Sequence, residues 1–246
     1  MPSTPYISLV MPMRNEENNI SHLLREIFSV FDETVRKSYE IIIVDDASDD
    51  RGDAVINEEY KRYTARRTTS FLAGISVLRL SVRSGQFKAL LRGISEAKGD
   101  YIATMDSDLQ YDPADIPALL RKMDSCDMVC GVRTVRHDTE ARRVCSKIAN
   151  GFRNLLTGDS TSDSGCMFRV MRAECVAAIL LYDGRLFGCE ALFFPLLVRR
   201  KGFRVGEMPV AHRRRGSGKS RYNLVRGRLL SGIAACCRVR FEGMAR

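Results

Sequence analysis

The sequence predicts an α/β fold, in which a mostly parallel, Rossmann-like sheet has helices on both faces. Through the first half of the chain, short apolar runs typical of buried strands alternate with segments of helical spacing, and the connections are short. Polar clusters stand directly after three of the predicted strands. Because ligands bind beyond the carboxyl ends of the strands in such sheets, we expect these clusters to meet in one crevice.

The first half of the chain holds the regular part of this pattern. Strands are predicted over Tyr6–Met11, Glu40–Val44, Ile75–Leu80, Tyr101–Met105 and Asp127–Gly131. Helices are predicted over Glu16–Lys37, over a segment that ends near Arg66, over Gln86–Ala97 and from Pro113 onward. Asn15 is positioned to cap the first helix, and Asp112 the one that Pro113 opens.

The second half is less regular. Helices are predicted over Glu140–Leu156, Ala173–Leu181, Glu190–Arg200 and Tyr222–Val239. A turn leads into a strand within Asp163–Val170, a further strand covers Phe203–Glu207, and Arg213–Arg221 is a basic, glycine-containing loop. Since no linker separates the two halves, we expect a single domain over residues 1–246.

Positive charge is concentrated near the carboxyl end. The net charge is +9, yet the stretch from Arg199 to Arg246 alone holds 14 Lys and Arg against 2 Asp and Glu. Such asymmetry indicates an anionic partner: nucleic acid, anionic lipid or phosphate. Within this stretch, Leu229–Cys237 is flanked by arginines on both sides, which is typical of a helix lying in a membrane interface. A helix packed on the protein core fits the same pattern, and both interpretations stay open.

Several classes of protein are disfavoured. The N-terminal segment lacks the regions of a signal peptide, and no apolar stretch approaches the ~20 residues that cross a bilayer. The eight cysteines form no CxxC pair or zinc spacing, and without an export signal we expect them reduced in the cytosol. We therefore expect a cytoplasmic protein that does not span a membrane by itself.

A nucleotide-hydrolysing loop and a nucleic-acid partner are also disfavoured. Gly216–Ser220 resembles the end of a Walker A loop, but Arg213 stands where that motif needs its first glycine. The basic C-terminal stretch contains few aromatic residues, whereas single-strand binding surfaces need several for base stacking. We therefore expect no nucleic acid among the partners.

The strongest chemical signal is Asp106-Ser107-Asp108-Leu109-Gln110, directly after a predicted strand. Residues two apart on an extended chain face the same side, so Asp106, Asp108 and Gln110 would present oxygens together. Neighbouring carboxylates repel each other and are stabilised by a shared cation. Mg²⁺ or Mn²⁺ prefers such oxygens and completes its shell with phosphates and water.

Two further constellations carry candidate functions. Asp45 and Asp46 follow an isoleucine-rich strand, where a carboxylate could accept from a base N–H or a ribose hydroxyl. Alternatively the segment is an N-cap run for the next helix, a role that suits Ser48 and Asp49, and both interpretations can hold for different residues. The second constellation consists of arginines, whose guanidinium forks bind phosphate oxygens in pairs. Its members are Arg133, Arg142, Arg143, Arg215 and Arg221.

Taken in order, these motifs resemble family 2 glycosyltransferases of the GT-A fold, most closely the polyprenyl- or dolichyl-phosphate sugar synthases. The resemblance covers nearly the whole chain. It rests on Val10-Met11-Pro12 with Asn15-Glu16, Val44–Asp49, Gly85-Gln86 with Lys88-Ala89-Leu90, Met105–Gln110 with Pro113, Gly131-Val132-Arg133, Asp163–Cys166, and Arg215 with Gly218, Ser220, Arg221 and Tyr222.

The resemblance implies a separate role for each part of the chain. Residues 1–110 would bind a UDP- or GDP-linked sugar, 111–221 the acceptor, and 222–246 would form a basic amphipathic C-terminal helix. The nucleotide-sugar residues would be Pro12, Asn15, Glu16, Asp45, Asp46, Lys88 and Asp106. Asp106, Asp108 and Gln110 would hold Mg²⁺ or Mn²⁺. The acceptor phosphate would be bound by Arg133, Arg143, Arg215, Ser220 and Arg221. The catalytic residues would be Asp108, Asp163, Arg133 and Arg215.

The implied reaction is an inverting transfer of a sugar from a nucleotide diphosphate to polyprenyl phosphate. The enzyme would be peripheral to the membrane, held at an anionic surface by its basic C-terminus or by a membrane partner subunit. Because a phosphate acceptor is already anionic, Asp163 is expected to orient more than to deprotonate. The alternative is a saccharide or other hydroxyl acceptor in cell-envelope polysaccharide synthesis, which needs a general base such as Asp163 or Glu190.

Overall fold

The structure is a computed structural model that describes residues 4–66, 70–134, 140–216 and 226–242. Within these residues, seven strands form one sheet in the order β3-β2-β1-β4-β6-β5-β7. The strands are β1 (Ile7–Met13), β2 (Tyr39–Asp45), β3 (Leu72–Arg79), β4 (Tyr101–Thr104), β5 (Met128–Arg133), β6 (Arg169–Arg172) and β7 (Val205–Val210). β6 is antiparallel to both of its neighbours, and the other pairings are parallel.

Helices cover both faces of this sheet, as predicted. They are α1 (Glu17–Val30), α2 (Gly52–Arg66), α3 (Gln86–Glu96), α4 (Ile116–Lys122), α5 (Glu140–Thr157), α6 (Val176–Leu180), α7 (Phe194–Arg200) and α8 (Arg226–Glu242). The period of two along β1 decides which face each side chain joins. Leu9 and Met11 pack with α1, whereas Val10 packs with α3 on the other face.

Some predicted boundaries are wrong. The first helix does not run from Glu16 to Lys37: α1 ends at Val30 and continues as one π-helical turn, Phe31–Val35. Asn15 does not cap α1, because its side chain accepts the backbone N–H of Asp49 at 3.0 Å. Asp112 does cap the turn at Pro113, with its Oδ1 accepting the N–H of Ala114 at 3.0 Å.

The C-terminal helix α8 packs on the protein. Ala235, Cys236 and Val239 are buried in a small cluster with side chains of α7 and of the segment before it. This is the packed alternative of the two that the sequence left open. A role for its cations at an anionic membrane stays a prediction. Among the helices described here, none is long and apolar enough to cross a membrane.

The topology brings the polar motifs to one edge of the sheet. β1, β2 and β4 are parallel to one another, and β5 runs in the same direction as β4 because β6 lies antiparallel between them. The carboxyl ends of these four strands therefore lie on the same side of the sheet. Since β6 is antiparallel, it begins at this edge, with Arg169 paired to Thr104 at the end of β4. β7 also ends here, with Val210 opposite Arg133. The crevice expected from the sequence therefore lies beyond this edge.

Candidate active site

Three loops at the carboxyl edge hold a non-glycine residue in the left-handed region. These residues are Asn15 after β1, Ala47 after β2 and Leu109 after β4, with φ of 53°, 53° and 66°. Such conformations cost free energy and persist where surrounding contacts hold them, often at functional sites. Here cross-loop hydrogen bonds do so: the Asn15 N–H donates to Ser48 Oγ at 2.9 Å, and Ser107 Oγ donates to the Pro12 carbonyl at 2.9 Å.

Asp106 and Asp108 stand two residues apart in the loop after β4, and their charges interact. Gln86, the first residue of α3, donates from its Nε2 to Asp106 Oδ1 at 2.5 Å. Burial raises the pKa of Asp106 to about 7, and the charge of Asp108 adds to this rise. Burial also raises the pKa of Asp108, although the Arg215 guanidinium opposes the rise. The two carboxylates therefore form a site that is stabilised by added positive charge.

These carboxylates fit a divalent cation that takes most of its ligands from a substrate. Within the described part of the chain, no group of three His, Cys, Asp or Glu side chains surrounds them. Mg²⁺ and Mn²⁺ are commonly held by one or two carboxylates together with phosphate oxygens and water. The predicted third ligand, Gln110, contacts Asp108 through its backbone N–H, which donates to Oδ1 at 3.1 Å. Coordination by its side chain stays a prediction.

Arg215, which the sequence assigned to the acceptor phosphate, bridges Asp108 and Glu16. Its Nη1 is 3.3 Å from Asp108 Oδ2, and its Nη2 donates to Glu16 Oε1. Burial raises the pKa of Glu16, while hydrogen bonding from Asn19 and the charge of Arg215 act in the opposite direction. Arg215 thus joins Glu16, in the loop after β1, to Asp108, in the loop after β4.

Arg133, at the end of β5, pairs with Asp163. The guanidinium donates from Nε to Oδ2 and from Nη2 to Oδ1, each at 2.8 Å, and the Arg133 backbone N–H donates to Oδ2 at 3.3 Å. Both side chains are largely buried. The structure therefore pairs Arg133, which the sequence assigned to the acceptor phosphate, with Asp163, which was expected to orient more than to deprotonate.

Asp45 and Asp46 hold loops in place. Asp45 accepts the Ser48 N–H at 2.9 Å, and Asp46 accepts the backbone N–H groups of Ser84 and Gly85, at 2.5 Å and 2.9 Å to the nearer oxygen. These contacts hold the turn after β2 and the loop before α3. The contact of Asp45 and Asp46 with a nucleoside stays a prediction. Lys88 is exposed in the first turn of α3, on the same segment as Gln86.

The remaining acceptor residues are only partly covered by the structure. The backbone of Arg143 lies in the first turns of α5, but its side chain is outside what the structure describes. Ser220 and Arg221 both lie outside the described residues. Their predicted phosphate contacts stay predictions.

Two contributors were missed in the sequence. Tyr111 is buried between Phe168 and His212, and its hydroxyl accepts the Met167 N–H at 3.2 Å, which ties the segment after Asp108 to the segment before β6. Asn150 of α5 holds the loop that carries Asp163: its Nδ2 donates to the Thr161 carbonyl at 3.0 Å, and its Oδ1 accepts from Ser164 Oγ at 2.5 Å. A polar residue on a helix carried no signal that could have revealed this.

A sequence profile described as "Glycosyl transferase family 2" matches residues 8–180, which include every loop of the site up to Asp163. The chain belongs to glycosyl transferase family 2. Among curated relatives, it is 34% identical over 222 residues to an undecaprenyl-phosphate 4-deoxy-4-formamido-L-arabinose transferase of Edwardsiella ictaluri. That alignment covers 90% of this chain and 64% of the relative, so the family 2 chain spans just under two thirds of the relative's length.

Solved structures share the same fold. Glucosyl-3-phosphoglycerate synthase of Mycobacterium tuberculosis, in complex with Mg²⁺ and UDP, superposes with a TM-score of 0.61 at 18% identity, covering 96% of this chain and 80% of that one. A mannosyltransferase of Pyrobaculum calidifontis, in complex with GDP-mannose and Mn²⁺, gives 0.57 at 16% identity, covering 85% and 56%. At these identities the likeness establishes the fold, and it confirms the GT-A arrangement predicted from the sequence.

Proposed function

We propose that this family 2 member is an inverting, metal-dependent glycosyltransferase that moves a sugar from a nucleotide diphosphate to polyprenyl phosphate. The relative from Edwardsiella ictaluri, named as an undecaprenyl-phosphate sugar transferase, supports this acceptor class. The two structural neighbours carry UDP or GDP-mannose with a divalent cation, which supports the donor class.

The choice of a phosphate acceptor is supported by the hydrogen bonds that Asp163 and Glu190, the two candidate general bases, already accept. A hydroxyl acceptor needs a carboxylate free to take its proton. Asp163 instead accepts both arms of the Arg133 fork. Glu190 is buried, and its Oε1 accepts the backbone N–H groups of Leu186 and Gly188, at 3.1 and 3.3 Å, which holds a turn. Its Oε2 accepts no hydrogen bond among the described residues, but this oxygen is buried away from an incoming acceptor. A phosphate acceptor, which arrives already ionised, requires neither to act as a base.

Each side chain then has a physical task. Asp106 and Asp108 would hold Mg²⁺ or Mn²⁺, which would supply positive charge beside the departing diphosphate. Gln86 holds the Asp106 carboxylate through its side-chain hydrogen bond. Arg133, fixed by Asp163, and Arg215 would bind non-attacking oxygens of the acceptor phosphate, since a guanidinium binds such oxygens through two parallel donors. Attack in a single displacement inverts the anomeric centre.

Arg215 contacts Asp108 at 3.3 Å and also donates to Glu16. A cation held by Asp106 and Asp108 would compete with this guanidinium for Asp108, so Arg215 would be the cationic side chain most affected by donor binding.

The identity of the acceptor distinguishes this proposal from the alternative, in which the sugar is transferred to a hydroxyl group. Purified protein is incubated with UDP- or GDP-sugars, Mn²⁺, and either a short-chain polyprenyl phosphate in detergent or soluble saccharide acceptors. We expect transfer to the phosphate, with inversion. Transfer to saccharide hydroxyls alone would overturn the proposed acceptor, and no transfer from any nucleotide sugar to either acceptor would overturn the proposal as a whole.

A further inference from the structure

Helix α5 turns its polar side toward the protein. Arg153 is buried, donates to the Leu192 carbonyl at 2.9 Å and lies 2.9 Å from a carboxylate oxygen of Asp159. Asn154 donates to the Thr161 carbonyl at 3.0 Å, and Thr157 is buried as well. Together with Asn150, these side chains form an inward face made of hydrogen-bonding groups.

The outward side of α5 is apolar. Val144, Ile148, Phe152 and Leu155 are 55%, 66%, 45% and 79% exposed. Their spacing of four, four and three residues places them on one stripe along the helix. From the first to the last, the stripe is about 16 Å long at the helical rise of 1.5 Å per residue. We call these four residues the α5 stripe.

This arrangement is the reverse of an ordinary surface helix, which buries its apolar side in the core and turns polar residues to water. Four large apolar side chains in line on one helix form a contiguous patch, in contrast to the single exposed apolar residues that are normal on protein surfaces. The α5 stripe is therefore built to be covered by an apolar phase or partner.

Positive charge borders the stripe where side chains are described. Lys147, next to Ile148, is exposed, and apart from the inward-facing Arg153 the sequence of α5 holds Arg142, Arg143 and Lys147 against the single acidic residue Glu140. Helix α8 packs beside α5, where the exposed Arg240 donates to the Leu156 carbonyl at 3.4 Å. An apolar face bordered by Lys and Arg is typical of helices that lie in the interface of an anionic membrane.

The stripe is also coupled to the site. On the opposite side of the same helix, Asn150 holds the Thr161–Ser164 segment, and this segment carries Asp163. A surface in contact with lipid would therefore lie one helix away from the residues proposed to bind the acceptor phosphate.

We propose that the α5 stripe docks this protein on an anionic lipid bilayer, with the four apolar side chains entering the boundary between headgroups and acyl chains. The proposal rests on the proposed function, because a lipid acceptor is the reason that this protein would meet a membrane. It places the membrane contact on α5, whereas the sequence pattern alone had directed attention to the C-terminal helix.

A second copy of the chain fits the stripe less well. Stable protein–protein interfaces take roughly 20–30 residues on each side, whereas the stripe offers four apolar residues bordered by like charges. Insertion into lipid requires no matching surface, and a row of apolar side chains about one helix wide is sufficient for it.

Flotation of the full chain with vesicles tests the proposal. We use phosphatidylcholine vesicles with and without phosphatidylglycerol, and compare the wild type with Ile148→Glu/Leu155→Glu. Because two charges are placed in the proposed lipid-facing stripe, we expect the partition coefficient on anionic vesicles to fall by about tenfold or more. The matched control is Val82→Glu, since Val82 is 67% exposed, like Ile148, but lies in the loop between β3 and α3. The control should bind within about twofold of the wild type.

Independent readouts keep the outcomes separate. Thermal unfolding and transfer to short-chain polyprenyl phosphate in detergent report on folding and on the proposed function, and neither should change much in the double variant. If the double glutamate variant does not fold, Ile148→Ser/Leu155→Ser replaces it. Equal flotation of wild type and stripe variant, no flotation of the wild type, or a loss shared by Val82→Glu would each overturn the proposal. So would a stripe variant that turns a dimer into a monomer while its vesicle binding is unchanged.

Discussion

Arg133 and Asp163 form a bidentate ion pair at the end of β5, in which Nε and Nη2 each donate to one carboxylate oxygen at 2.8 Å. The geometry fixes the plane of the guanidinium, because two parallel hydrogen bonds leave one orientation. A carboxylate used in this way positions a cation.

This pairing predicts the behaviour of Asp163→Asn. The amide keeps one acceptor for Arg133 but loses the charge, so kcat/KM for polyprenyl phosphate should fall by roughly 10–100-fold, the effect of a hydrogen bond to a charged group. The pH–rate profile should keep the shape of the wild type, since no general base has been removed. Loss of the acidic limb of that profile would instead identify Asp163 as a base and favour a hydroxyl acceptor.

The contact of Arg215 with Asp108 predicts competition between a side chain and a metal ion. Arg215→Gln should tighten binding of Mn²⁺ in the absence of nucleotide by about tenfold, because a unit charge a few ångströms away is worth on the order of 1–4 kcal/mol. The same variant should raise the KM for the acceptor phosphate. Titration of Mn²⁺ by electron paramagnetic resonance measures the first effect. Weaker or unchanged Mn²⁺ binding would show that the guanidinium does not occupy the cation's place.

Asp108 should be needed for the metal-dependent part of donor binding. In Asp108→Asn, the shift of the unfolding temperature by UDP or GDP should no longer depend on Mn²⁺, because one of two carboxylates has lost its charge. Turnover should fall to near background. Asp124→Asn, which neutralises an exposed carboxylate elsewhere, is the control and should respond like the wild type. A Mn²⁺ response that survives in Asp108→Asn would contradict the metal assignment.

The sequence predicted the first half of the fold well because its signals are local. Four of the five apolar runs begin or end at or next to an Asp or Gly, and the first lies between Pro5 and Pro12. The polar residues that follow β1, β2 and β4 do converge, as the bonds from Ser107 to the Pro12 carbonyl and from the Asn15 N–H to Ser48 show. Strand order was not predicted: β6 enters between β4 and β5 in the opposite direction, and pairing partners leave no trace in a local pattern.

The pairings within the site were beyond the sequence for the same reason. Arg215 and Glu16 are 199 positions apart, and the motifs indicated only that each was important. The orientation of α5 was likewise hidden, since periodicity reveals that a helix has two faces but not which of them meets the protein. The hydrogen bonds of Asn150 and Arg153 with the chain determine that choice.

Gly93 should be required for the close packing of α3 on the sheet. A Cβ at this position would lie 2.4 Å from Val10 Cγ1 and 2.9 Å from Val44 Cγ2, so Gly93→Ala forces α3 away from β1 and β2. We expect a loss of about 1–3 kcal/mol in the free energy of unfolding. Gly151→Ala is the matched control in an exposed helix, where a Cβ meets nothing within 4 Å and should stabilise by roughly 0.5–1 kcal/mol. Urea denaturation measures both, and a neutral Gly93→Ala would contradict the packing argument.

The ion pair between α1 and α2 predicts how stability depends on pH. Hydrogen bonding from Arg25 lowers the pKa of Glu59 from 4.5 to about 2. Because the folded-state pKa lies below the unfolded one, this contribution is fully present above about pH 4.5 and is lost as the pH falls through about 2. The unfolding temperature of the wild type should therefore exceed that of Glu59→Gln clearly at neutral pH, and the gap should narrow as the pH falls below about 4. Glu58→Gln, which removes an exposed partner of Arg62, should show little difference at either pH. A gap for Glu59→Gln that stays constant down to about pH 2 would mean that the pair contributes through packing and not through its charge.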